Sequence, residues 1–224
     1  MAVTFELGDG VRDVELDAVV VAGFTGRDQS AVLQHLHELA ELGVPVPAST
    51  PTYYAAPPDH VVQTSRLATV RAGTSGEAEC VLIAVGDETW ITLGSDHTDR
   101  DAEALDIAVS KLLCPKPVAT AAWNLDELAD VEALELRSWV TIDGTEVLYQ
   151  QGSVAEILPF SEIRSTVPFR RAPEAFALFT GTLPALGGIR PAARFRAALT
   201  DPLAGRTIEL DYDVEVLDLF DDQG

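Results

Sequence analysis

Glu77 and Glu79 stand two residues apart, and Asp96 follows the next apolar run. Three carboxylates converging on one point repel one another until a hard divalent cation joins them. Mg²⁺, Mn²⁺ and Ca²⁺ all prefer oxygen donors of this kind. The spacing allows convergence, because a strand alternates its side chains and so sends Glu77 and Glu79 to one face. Cys80 to Val85 (CVLIAV) predicts a buried strand and Trp90 to Leu93 (WITL) its partner, with Gly86-Asp87 turning between them. Folding the hairpin about that turn sets Asp96 opposite Glu77. The alternative is a solvated face of an edge strand, since carboxylates in an acidic protein are mostly exposed and unliganded.

Other side chains could carry protons or charge beside such a centre. His35 and Glu38 lie three apart on a predicted helix and so share a side, where Glu38 could orient His35 as a general base. The same pair also suits the wet side of an amphipathic helix. His97 adjoins Asp96 and competes with His35 as base, ligand, orienting residue or plain loop residue. Lys111 and Lys116 are the only lysines in the chain. Lys111 could bind a substrate carboxylate or a developing oxyanion. Lys116 reads as a solvated cation at a helix end, where the dipole favours it. Thr182 could donate to a substrate carboxylate and Gln150 to a substrate oxygen. Tyr53 and Tyr54 could line an entrance or simply cover the core.

The elements that position these residues are mostly strands. Val3 to Leu7 and Val14 to Val21 predict opening strands split by Gly8-Asp9-Gly10. Ser30 to Leu42 predicts a helix with an apolar stripe (Ala31, Leu33, Leu36, Leu39, Ala40, Leu42), capped by Asp28 or Ser30 and stopped by Gly43. A proline-rich segment, Pro45 to Pro58, predicts an extended cover or lid. Asp101 to Leu113 predicts a second helix. Leu134 to Thr141 with Glu146 to Gln150 predicts a second hairpin across Asp143-Gly144. Val154 to Phe160 reads as helix or loop. Ala175 to Phe179, Ala192 to Leu199 and Thr207 to Val216 predict further strands. Strands follow one another rather than alternating with helices, which indicates an α+β fold with mixed sheets. No linker divides the chain, so residues 1–224 read as one domain, with 1–60 as N-terminal strands, helix and proline-rich cover.

Composition narrows the function classes. The chain has 224 residues, 47% hydrophobic, with a formal net charge of −21. That apolar content supports a folded core rather than disorder. The charge argues against nucleic-acid backbones and anionic membrane surfaces as partners. Two isolated cysteines, Cys80 and Cys114, lack the spacing of a disulfide framework or a zinc site and read as reduced. With no signal-like N-terminus and no run of spanning length, the expected location is cytoplasmic.

The order of these features resembles the fumarylacetoacetate hydrolase superfamily, and within it the bacterial DUF2848 branch. Glu77 and Glu79 match the family's Glu-x-Glu metal ligands. Ser95-Asp96-His97-Thr98-Asp99-Arg100 matches its Asn-Asp signature with Ser in place of Asn. The resemblance thereby implies Asp96 as third ligand and Arg100 as a structural or substrate-side residue. Lys111 and Cys114-Pro115-Lys116-Pro117 take the place of the family's lysine and proline turn. Gly144 to Gly152, with Gln150, matches its glutamine hairpin. Gly181-Thr182-Leu183-Pro184 matches its Gly-Thr-Pro segment with one residue inserted. His35 and Glu38 match the spacing of its His-x-x-Glu dyad, though the tyrosine that precedes that dyad is missing. The resemblance implies a β-rich roll or barrel core with flanking helices and a homodimer. It further implies a Mg²⁺-type cofactor and hydrolysis of a C–C bond in a small 1,3-dicarbonyl or 2-oxo acid of acylpyruvate type. A decarboxylase or sugar-acid dehydratase of the same superfamily is the alternative. Outside the resemblance, a non-catalytic acidic module binding a ligand or partner is also consistent with the composition.

Overall fold

The computed structural model describes residues 2–8, 10–41 and 46–217, with the side chains of His35 and Leu39 excepted. Gly43 and the acidic C-terminal residues from 218 onward therefore lie outside the described residues.

The chain opens with a hairpin, β1 (Ala2–Leu7) and β2 (Gly10–Glu15), and then β3 (Ala18–Gly23). The expected single strand from Val14 to Val21 is broken at Asp17. Its carboxylate accepts the backbone N–H groups of Glu174 and Ala175, each at 3.0 Å. Helix α1 (Gln29–Glu41) follows, capped as expected by Asp28, which accepts from Ser30 N and Ala31 N. Of its apolar stripe Leu36 is buried, whereas Leu33 is exposed.

The proline-rich segment contributes an edge strand. Its β4 (Thr52–Ala56) pairs antiparallel with β3, and the Tyr53 hydroxyl donates to Ile163 O at 2.7 Å. Short strands β5 (Val61–Val62), β6 (Arg66–Thr69) and β7 (Thr74–Ser75) lead to the predicted hairpin, β8 (Ala78–Val85) and β9 (Glu88–Ser95). After β10 (Thr98–Asp99), the expected helix from Asp101 to Leu113 is two helices, α2 (Arg100–Glu103) and α3 (Ile107–Leu112). Asp106 interrupts the pattern by capping the second, accepting from Val109 N at 3.1 Å. Next come β11 (Lys116–Pro117), β12 (Trp123–Asn124), the second hairpin β13 (Glu135–Ile142) and β14 (Thr145–Ser153), and α4 (Phe160–Ser165). The strands β15 (Ala175–Thr182), β16 (Arg194–Asp201) and β17 (Arg206–Val216) close the fold.

Two sheets dominate, in the order β12-β9-β8-β15-β3-β4 and β14-β13-β16-β17-β6. The first is mixed, because β15 runs parallel to β3 and antiparallel to β8. Its two faces are both covered. Cys80, Leu82, Ile91 and Leu178 pack toward Leu136, Phe195, Leu210 and Tyr212 of the second sheet. Val81, Ile83, Val21 and Phe179 pack toward Val3, Phe5 and Val14 of the N-terminal hairpin. Burial on both faces explains why CVLIAV is an unbroken apolar run instead of an alternating one. Each such aliphatic side chain contributes about 1.5–3 kcal/mol on burial. The result is the α+β architecture that the strand succession indicates. Among the described residues no helix is long and apolar enough to cross a membrane.

Candidate functional site

The acidic residues sit at the ends of β8 and β9, where the buried hairpin of the core runs out. The ladder pairs Ala78 with Ser95 and Glu79 with Gly94, and Asp96 N donates to Glu77 O at 3.0 Å. Glu77 therefore stands opposite Asp96, as counting back from the turn predicts. Gly94 must be glycine here. A Cβ would lie 2.5 Å from Val81 Cγ2 and 2.9 Å from Phe179 Cε1. One carboxylate oxygen from each of Glu77, Glu79 and Asp96 lies within 4.8 Å of the others.

Three cations surround this triad, two of them the only lysines in the chain. Lys111 Nζ lies 2.5 Å from Asp96 Oδ2 and 3.6 Å from Glu77 Oε2. Lys116 Nζ lies 2.8 Å from Asp96 Oδ1 and donates to His97 O at 2.6 Å. Arg100 donates to Ser75 Oγ at 2.7 Å and to Glu103 at 2.6 Å, and approaches Glu77 at 3.2 Å.

This arrangement sorts the protonation states. Burial would raise the Asp96 carboxyl, but Lys111 and Lys116 outweigh it and hold the group well below the usual carboxylate range. Glu79 is pushed the other way. Its burial and the neighbouring Asp96 and Glu77 raise it strongly, despite the hydrogen bond it accepts from Gly181 N at 2.9 Å. Burial would lower Lys111, but Asp96, Glu77 and Glu103 keep it charged.

The donor set fits a hard divalent cation. It is made of carboxylate oxygens, and Asp96 Oδ1, though buried and close to Lys116, has no aligned hydrogen-bond donor among the described residues. Glu79 is a buried acid whose uncharged form is favoured by its surroundings, and a further positive charge would favour its carboxylate.

Comparison with known proteins shows the family and the fold. A family model described as "Protein of unknown function (DUF2848)" matches residues 22–212. The chain belongs to the DUF2848 family. None of the curated proteins matches it significantly. Among solved structures, Cg1458 with an inhibitor is similar over 93% of this chain and 81% of its own, at 19% identity and a TM-score of 0.66. A protein from Yersinia pestis CO92 described within the fumarylacetoacetate hydrolase family is similar over 95% and 100%, at 15% identity and a TM-score of 0.64. A 2-keto-3-deoxy-D-arabinonate dehydratase complexed with magnesium and 2,5-dioxopentanoate is similar over 93% and 78%, at 16% identity and a TM-score of 0.63. This DUF2848 chain thus has the fumarylacetoacetate-hydrolase-like fold that its motif order implies.

The remaining sequence candidates in the DUF2848 chain fall into distinct places. Arg100 and Lys111 join the triad, as described. Gln150 is 1% exposed and fully engaged. It accepts from Ala78 N (2.9 Å) and Ser138 Oγ (2.8 Å) and donates to Thr182 Oγ1 (2.6 Å) and Leu183 O (2.7 Å). The Thr182 hydroxyl in turn donates to Ala78 O at 2.7 Å. These two side chains pin the β8 end of the site to β13–β15. His97 is buried with both ring nitrogens occupied, one by Tyr212 at 3.0 Å and one by Thr74 at 2.9 Å. Burial, Lys116 and Arg100 lower its pKa to about 3, so the ring is neutral. Glu38 is exposed on α1 and accepts from Gln34 at 3.0 Å. The His35 backbone belongs to α1, and its side chain lies outside the described residues.

Two participants escape sequence reasoning, and a third, Tyr54, is placed by it only as an entrance or cover residue. Lys116, expected at a solvated helix end, is 0% exposed and grips Asp96. Its flanking prolines mark a turn yet do not show that the turn folds inward. Glu103 faces both Lys111 and Arg100. It shares a side with Arg100 at i, i+3, which is the one signal available for it. Tyr54 is half-buried on β4, and its hydroxyl, raised by burial, lies in the field of Lys111, Glu103, Asp106 and Asp96.

Proposed function

We propose that this chain is a divalent-metal-dependent enzyme that hydrolyses a C–C bond in a small 1,3-dicarbonyl or 2-oxo acid. The observation that carries this reading is the convergence of Glu77, Glu79 and Asp96 at the end of a buried hairpin, with both lysines on Asp96. Glu77, Glu79 and Asp96 would hold Mg²⁺ or Mn²⁺. A cation bound there would supply Lewis acidity and orientation for an oxo-acid substrate.

The chain's own residues supply the rest. Lys111 is the charged donor at the edge of the triad and is suited to a developing oxyanion. Arg100 fixes Glu77, and Lys116 with the neutral His97 fixes the Asp96 segment. Because His97 spends both nitrogens on Tyr212 and Thr74, it serves as a positioning residue rather than a base. The base role is assigned to His35, with Glu38 as its orienting partner, as their spacing suggests.

A lyase reaction is the second reading, supported by the magnesium-bound dehydratase of similar fold. A panel of acylpyruvates, oxaloacetate and 2-keto-3-deoxy sugar acids, assayed with Mg²⁺, Mn²⁺ or EDTA, tests both. Two acids formed in a cation-dependent reaction support hydrolysis. Loss of water or CO₂ from one substrate supports the lyase instead. No turnover of any panel member with either cation, in protein shown to be folded, would remove the oxo-acid assignment.

A further inference from the structure

The cations around Asp96 are not equivalent. Lys116 is wholly enclosed, with its ammonium on His97 O and Asp96, and among the described residues no second carboxylate lies within ion-pair distance. Arg100 is held by Ser75, Glu103 and Glu77 at once through its planar fork. Lys111 is the cation among the described residues that touches Asp96 and also reaches Glu103. On the inner side it touches Asp96 at 2.5 Å and Glu77 at 3.6 Å, two members of the triad. On the outer side it is 3.6 Å from Glu103, which is no member of the triad and is 26% exposed. Thr98 Oγ1 accepts from the same ammonium at 3.2 Å. The four-carbon stem of a lysine offers several staggered rotamers, so a small shift between neighbouring acceptors needs no backbone movement.

An ammonium and a divalent cation drawn to the same two carboxylates repel each other, and a buried setting strengthens the repulsion. Resting on the metal assignment above, we propose that Lys111 is a displaceable counter-ion of the triad. It neutralises Asp96 and Glu77 before a cation arrives and moves onto Glu103 when one binds. Glu103 then governs cation affinity without being a ligand, because it is the seat that receives the lysine. The same shift makes the charged donor available to a substrate only when the cation is present.

Calorimetric titration of Mn²⁺ into the full-length chain tests this with Lys111→Met, Glu103→Gln and the double variant. Lys111→Met should bind Mn²⁺ about tenfold more tightly, the size of a partly screened like-charge contact. It should also melt lower than wild type in EDTA and gain more from Mn²⁺. Glu103→Gln should bind Mn²⁺ about fivefold more weakly, and this loss should vanish in the Lys111→Met background, since the two act as one unit. Equal or weaker binding by Lys111→Met overturns the proposal. So does a Glu103→Gln loss that persists without the lysine, which would reduce Glu103 to a bystander charge. Should Lys111→Met fail to fold, Glu103→Gln and Lys111→Gln carry the same test, and unchanged affinity in both is equally fatal. Wild type that binds no Mn²⁺ overturns the metal assignment itself. Wild type that binds normally while the variants do not differ overturns only the counter-ion role.

Discussion

Replacing Glu79 by Gln should leave the fold standing and remove its response to divalent cations. The structure supplies the reason for both halves. Glu79 is buried, and burial with Asp96 and Glu77 nearby favours its uncharged form. A glutamine is the uncharged isostere, and its amide oxygen can still accept from Gly181 N, now bonded to Glu79 Oε2 at 2.9 Å. The cation-free stability of Glu79→Gln should therefore stay within about 0.5 kcal/mol of wild type. Wild type at a cation concentration one hundred times Kd gains about 2.7 kcal/mol by linkage. For a chain of this size each kcal/mol raises Tm by about 2–4 °C, so the expected rise is about 5–11 °C. The variant, without an ionisable third ligand, should rise by less than about 2 °C at the same concentration. Thermal melts followed by circular dichroism, in EDTA and then in Mg²⁺ or Mn²⁺, measure both quantities. If the two proteins rise together, Glu79 is not a ligand. If neither rises, the triad is not a cation site.

Lys116→Met removes a fully buried partner of Asp96 and should cost about 3–5 kcal/mol in urea unfolding. A loss below about 1 kcal/mol, the worth of a surface pair, would show that the contact is solvated. Gln150→Leu should cost about 2–5 kcal/mol, because Ala78 N and Leu183 O lose their buried partner, and the same urea titration measures it. Cys80 and Cys114 are both buried, and burial pushes the Cys114 thiol up to about 11. Neither should react with a thiol reagent at neutral pH until the protein is unfolded in guanidinium, which absorbance of the released thiolate records. Rapid labelling of one thiol in the native state would contradict that burial.

The central hairpin is legible in the sequence because its signals are local. An apolar run, a Gly-Asp turn and a second apolar run set the register, and the register sets Asp96 against Glu77. The glutamates' shared face follows from the same two-residue period. What is not legible depends on partners far along the chain. The break at Asp17 exists because Glu174 and Ala175 present their N–H groups there. Gln150 and Thr182 look free as lone polar residues, whereas in space each completes the other's hydrogen bonds. Lys116 reads as solvated because a cation between prolines carries no mark of the carboxylate it will meet. The split of the helix at Asp106 was within reach, since Asp is a strong capping residue, yet the surrounding apolar spacing masks it.

Strand β15 lies between β8 and β3, and its Gly181 amide reaches Glu79 across 102 positions of the chain. Translation delivers that strand after the carboxylates it covers. A ribosome-bound polypeptide that ends before residue 175 already displays Glu77, Glu79 and Asp96, yet lacks the strand that walls them in. Contacts of such long sequence separation form slowly. The nascent acidic segment must therefore wait in water, and its carboxylates become one buried unit only once β15 has been made and has paired.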